Sequence, residues 1–124
     1  MFGDCDKEEG VHIQPESLPP SEQELLELHA KFFRGLANPL RLQIIELLLD
    51  GEKNVSELVH RTGVTQGQVS NALACLRWCG YVASRQEGRY TFYRIAHHRV
   101  RDLVLAAREM VALNAAHIYS CCRM

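Results

Sequence analysis

The stretch Thr65–Gly80, TQGQVSNALACLRWCG, constrains this chain more than any other. Val69, Ala72, Leu73 and Leu76 recur at i, i+3, i+4 and i+7, the stripe of an amphipathic helix. Thr65 is a good N-cap with Gln68 three positions on as its capping-box partner, and Gly80 is a C-terminal stop. The front of this helix is small and polar: Thr65, Gln66, Gly67, Gln68, Ser70 and Asn71. Those are side chains suited to base edges and phosphates. The rear carries Cys75 and Cys79, four residues apart and therefore on one face. Both flank the apolar stripe, which predicts a place at the rim of the core, within reach of a ligand. A cysteine inside a helix is also often just a small buried apolar residue.

The segments before it complete a helix-turn-helix. Ser21 caps a first helix, with Glu24 as capping-box partner and a stripe of Leu25, Leu28 or His29, Phe32 and Leu36 running to about Ala37. Asn38-Pro39 starts a second helix to about Leu49, with Leu42, Ile45, Leu48 and Leu49 inward and Asp50-Gly51 as its end. A third, Val55 to Arg61, is capped by Asn54 or Ser56, with Leu58 and Val59 inward. Gly63-Val64 then turns into the polar-fronted helix.

After Gly80 the period changes. Tyr81 to Arg85 and Tyr90 to Ile95 alternate as two strands around a Glu87-Gly88 turn, a wing with arginines at its shoulders. A last helix runs from His98 to about Tyr119, with Val100, Leu103, Val104, Ala107, Val111 and Leu113 or Asn114 as its stripe. One small domain does not need that much apolar surface, so this helix and the first are expected to cover a partner. The fold expected is mainly α with a small β-wing: a winged helix-turn-helix over 21–119, behind an acidic disordered leader (1–20) and before a cysteine-bearing tail (120–124).

Net charge, −1 over 124 residues, conceals an asymmetry. Residues 1–30 carry eight acids against Lys7, net −7, whereas residues 60–101 carry seven arginines against Glu87, net +6. A basic segment on a neutral chain fits a nucleic-acid partner, although an ordinary solvated face has the same composition. Gln66, Gln68, Ser70 and Asn71 are the candidates for base edges, with Gln and Asn suited to adenine. Arg77, Arg85 and Arg89 are the candidates for phosphates or a minor groove. No apolar run approaches the ~20 residues that span a bilayer. Five cysteines without a secretory leader are expected as cytoplasmic thiols rather than a disulfide framework. No nucleophile–base constellation or phosphate-binding glycine loop suggests an enzyme.

Three runs carry a family resemblance: Leu36-Ala37-Asn38-Pro39-Leu40-Arg41, Gln68-Val69-Ser70-Asn71-Ala72-Leu73, and Glu87-Gly88-Arg89 followed by Tyr93. Together, over roughly Glu22 to Tyr119, the chain resembles the ArsR/SmtB winged-helix repressors. The resemblance implies a homodimer joined by its first and last helices. It further implies binding to operator DNA, and release when a metal ion or other inducer binds. Two such recognition helices predict an inverted-repeat operator with half-sites ~34 Å apart.

The family places its metal ligands in several ways. A Cys-x-Cys in the third helix is absent, because Val59-His60 stands there. An Asp/His set on the closing helix is broken to His97, Arg99 and Met110. A third arrangement resembles the CmtR-type cadmium/lead sensors, in which two recognition-helix cysteines join a tail cysteine of the other subunit. That resemblance assigns Cys75 and Cys79, with Cys121 or Cys122 from the tail, as metal ligands. A Cys-Cys pair near a chain end has no core to fill. Thiolates of this kind favour soft ions, Cd(II) or Pb(II) first, with As(III) and Hg(II) as further inducers, and disfavour magnesium and calcium. Cys5 lies in the leader without an evident role. A rival reading is a repressor sensing thiol oxidation, with Cys75 or Cys79 pairing to the tail. An arginine-rich helical interaction module that touches no DNA is a second.

Overall fold

The computed structural model describes residues 21–121. The leader with Cys5, and Cys122 in the tail, lie outside the described residues. Five helices and a small sheet follow in order: α1 (Glu22–Arg34), α2 (Pro39–Leu48), β1 (Lys53–Asn54), α3 (Val55–Thr62), α4 (Gln66–Trp78), β2 (Val82–Glu87), β3 (Tyr90–Ile95) and α5 (His98–Ser120).

Local chemistry sets the helix starts. Ser21, Asn54 and Thr65 each accept from the backbone N–H three residues on, and the Glu or Gln at that position accepts from the cap residue's own N–H. Each box satisfies donors that a helix start otherwise leaves unpaired. Asn38 accepts from the Arg41 N–H, with Pro39 at the first helical position. The ends are equally local. Gly63 ends α3 in the left-handed region, φ 76°. At the end of α4, Tyr81 N–H donates to Leu76 O and Gly80 N–H to Arg77 O, with Gly80 at φ 89°: a Schellman motif.

The core joins Ile44, Ile45 and Leu48 of α2, Leu58 of α3, Val69, Ala72, Leu73 and Leu76 of α4, Tyr81 and Val82, and Val100 and Val104 of α5. The apolar stripe expected for α4 is the one found. In α2 the inward face is rotated: Ile44 is buried and Leu42 is exposed. Helix α1 has no buried residue and ends at Arg34, three residues earlier than expected, because Gly35 caps it and Asn38 restarts the chain as α2.

The sheet has order β1-β3-β2, all antiparallel. Strand β1 was not anticipated. Two residues are too short to show alternation, and they become a strand only by pairing Lys53 with Tyr93 and Asn54 with Phe92. The wing turn is also shifted. Glu87 pairs with Tyr90, so the turn is Gly88-Arg89, with Gly88 at φ 64°. That shift puts Arg89 at the tip. No helix among the described residues is long and apolar enough to cross a membrane.

Candidate nucleic-acid interface and its cysteines

Helices α3 and α4, joined at Gly63, present the polar front of α4 to solvent: Gln66, Gly67, Ser70 and Asn71 are all exposed. Thr65 and Gln68 are exposed too, but their oxygens close the cap. Thr65 Oγ1 accepts from Gln68 N at 3.2 Å, and Gln68 Oε1 accepts from Thr65 N at 3.1 Å. That leaves Gln66, Ser70, Asn71 and the amide nitrogen of Gln68 as the exposed polar groups of this front that the cap does not use.

The three predicted arginines divide. Arg89 is exposed at the wing tip. Arg77 donates from Nη1 to Ser84 Oγ at 3.2 Å, which ties the end of α4 to β2. Arg85 is held inside the protein's own charge network. Its Nε meets both Glu52 oxygens at 3.0 and 2.9 Å, Nη2 meets Glu52 Oε1 at 2.5 Å, and Nη1 meets Glu87 Oε1 at 2.6 Å. Its guanidinium also lies 4.9 Å from the Phe92 ring centroid. Arg85, expected at a phosphate or minor groove, is therefore engaged within the protein itself. Arg85 holds the Glu52 carboxyl below the usual glutamate range, and Glu52 followed by Glu87 raises the guanidinium.

Two buried cations escaped sequence reasoning. Arg41 Nε donates to Gly35 O at 2.7 Å and Nη2 to Arg34 O at 3.2 Å; Lys53 Nζ donates to Leu47 O at 2.9 Å. Each places positive charge at a helix C-terminus, where carbonyls lack intrahelical partners.

The cysteines also part company. Cys75 is only 3 % exposed, inside the core edge rather than at the accessible rim expected of it. On the wheel it lies about 60° from Ala72, at the edge of the buried stripe, so its burial is decided by the elements packed against that edge. Cys79 is half-buried and forms the C-cap of α4. Its Sγ lies 3.0 Å from where a Cβ on Gly35 would stand. Tyr81 stands beside it, stacked on Phe32 at 4.5 Å and donating its hydroxyl to Phe32 O at 2.6 Å. Burial pushes the Tyr81 phenol well above its ordinary pKa, and Cys79 adds to the shift. The end of the recognition helix is thereby packed on the end of α1. Cys121 is exposed at the end of α5. Among the described residues no group of three or more His, Cys, Asp or Glu stands close enough to hold a metal ion.

A polar-fronted second helix behind a left-handed glycine turn, with an arginine-tipped hairpin beside it, defines a winged helix-turn-helix protein of the DNA-binding class. Residues 38–84 match the bacterial regulatory protein, arsR family. The chain is 43 % identical over 95 residues to a protein described as a mercury resistance operon repressor from Streptomyces lividans, covering 77 % of this chain and 76 % of that one. It is 43 % identical over 86 residues to the transcriptional regulator CmtR of Mycobacterium tuberculosis, covering 68 % and 73 %. The solution structure of a homodimeric winged helix-turn-helix DNA-binding domain from Mycobacterium bovis superposes with a TM-score of 0.68 at 35 % identity, over 79 % of this chain and 92 % of that one. This chain belongs to the ArsR family of bacterial transcriptional regulators.

Proposed function

We propose that the protein is a homodimeric repressor that binds an inverted-repeat operator and releases it when a soft metal ion binds cysteine thiolates. The observation that carries the sensing half is the place of Cys79: a sulfur at the end of the DNA-reading helix, pressed against Gly35 at the end of α1. The relatives described as a mercury resistance operon repressor and as CmtR support the same direction.

The dimer reading rests on unpartnered apolar faces. Leu26 of α1 is 62 % exposed, and Leu113 and Tyr119 of α5 are 83 % and 93 % exposed. Each large apolar side chain buried against a partner contributes about 1.5–3 kcal/mol.

The donor set fits a soft ion. Cys79, Cys75 and a tail cysteine are sulfur ligands, and the described residues complete no site within one chain. We assign Cys79 and the tail, Cys121 or Cys122, as the leading ligands; buried Cys75 joins once exposed. Bound there, an ion would supply bonds between thiolates and so hold the end of α4 to the tail of the partner. The chain's own residues then transmit the change. Cys79 bears on Gly35, and Tyr81 holds Phe32 by a hydrogen bond, so a displaced end of α4 is felt by α1. Because α1 belongs to the dimer face, the spacing of the two recognition helices follows.

The test adds Cd(II), Pb(II), As(III) or Hg(II) to reduced protein. Thiolate-to-metal absorption is followed alongside affinity for a duplex selected by the metal-free protein from a random pool. At least one ion is expected to give the sulfur band and weaken operator binding, with allosteric coupling typically about 5–150-fold. Cys79→Ser is expected to keep operator binding and lose the response. Unchanged operator affinity with all four ions overturns the metal reading. The thiols of Cys79 and of exposed Cys121 support a second reading, a thiol-redox repressor without metal. It predicts loss of operator binding with peroxide in the presence of a chelator, reversed by dithiothreitol.

A further inference from the structure

Arg85 and Glu52 lie 33 residues apart in sequence and on opposite edges of the sheet. Arg85 is on β2; Glu52 immediately precedes β1; β3 runs between them. With strands about 4.8 Å apart, the arginine side chain bridges about two strand spacings. It does so across Phe92, the β3 residue paired with both Arg85 and Asn54. The far end of this bridge is structurally central, because Asn54, two residues after Glu52, caps α3. Neighbouring residues of a strand point to opposite sheet faces, and the neighbour Ser84 accepts from Arg77 of α4. The wing is thus tied to the start of α3 on one face and to the end of α4 on the other.

We propose that Arg85 is a positioning residue that braces the wing against the helix-turn-helix, so that Glu52, although acidic, strengthens operator binding. An isolated exposed ion pair contributes little. This one differs in being a fork-on-fork contact with a second carboxylate, Glu87, and an aromatic ring behind the guanidinium. The group positioned is Arg89, at the tip of the same hairpin. Its distance from the polar front of α4 depends on the angle at which the hairpin leaves the domain.

The inference rests on DNA binding through α4 and the wing, and its test separates the two. Wild-type protein selects a duplex from a random pool, and affinity for that duplex is measured against salt for Glu52→Gln, Arg85→Gln, Arg85→Lys and the double Glu52→Gln/Arg85→Gln. If the wild type selects no duplex, the DNA-binding reading fails. With a duplex in hand, removing an acid that merely repels phosphate must tighten binding; the brace requires Glu52→Gln to loosen it several-fold. The brace also requires Arg85→Gln to leave the salt slope unchanged. A lost phosphate contact lowers that slope by about 0.9, hence about 1.8 for a symmetric dimer. In the Glu52→Gln background Arg85→Gln is expected to add almost nothing. Arg85→Lys is expected to behave like Arg85→Gln, because an ammonium cannot make the fork. Tighter binding by Glu52→Gln, a reduced salt slope for Arg85→Gln, or near-native binding by Arg85→Lys each overturns the proposal.

Discussion

Replacing Tyr81 with Phe isolates a side-chain hydrogen bond that ties the segment after α4 to α1. The ring is 0 % exposed and stacks on Phe32, so Phe keeps packing and volume and deletes only the donor. The bond is short, 2.6 Å, and spans 49 residues. A buried acceptor left without any partner costs about 1–3 kcal/mol, but Phe32 O also accepts from Gly35 N at 3.1 Å and stays paired. The loss is therefore expected near the net worth of one hydrogen bond, about 1 kcal/mol. In a domain of this size that lowers the melting temperature by roughly 4–8 °C, compared at equal protein concentration because a dimer's melting depends on it. The pH dependence gives a second arm. The folded phenol's pKa is raised, so its contribution is complete below the unfolded value, about 10, and is lost as pH rises through the folded one. The gap between wild type and Tyr81→Phe is expected to be constant at neutral pH and to narrow above about pH 10. A variant that melts with the wild type at pH 7, or a gap that widens in alkali, refutes the reasoning.

Two further outcomes follow from the fold. Gly80→Ala meets no atom within 4 Å, so it costs only the left-handed backbone at φ 89°, about 1–2 kcal/mol by denaturant melting; a neutral result would deny the Schellman end of α4. Leu113→Asp, at a side chain 83 % exposed in one chain, is expected to give monomers in analytical ultracentrifugation with an intact far-ultraviolet spectrum. An unchanged dimer would remove α5 from the interface.

The helices of this protein are legible in its amino-acid order because their signals are local. Ser21 with Glu24, Asn54 with Glu57 and Thr65 with Gln68 are pairs three residues apart, and each closes a capping box wherever the rest of the chain goes. The α4 stripe from Val69 to Leu76 and the glycines at 63 and 80 belong to the same order of distance, so the helix-turn-helix and its polar front could be written down directly. The site was legible only as a set of residue types. Whether a cysteine of α4 faces solvent depends on the neighbours packed around it, and those placed Cys75 inside and Cys79 against Gly35.

Folding in three dimensions settled the charges. Arg85 finds Glu52 from 33 residues away, Arg101 finds Leu49 O from 52, and Arg41 turns inward to the carbonyls that end α1. No periodicity records such pairings, because a cation's partner is whichever acceptor the closed chain brings within about 3 Å. Strand β1 has the same origin: Lys53 and Asn54 become a strand only because β3 folds back beside them. Short-range bonding made the recognition helix, and chain closure sorted its neighbours into those turned toward a ligand and those holding the protein together.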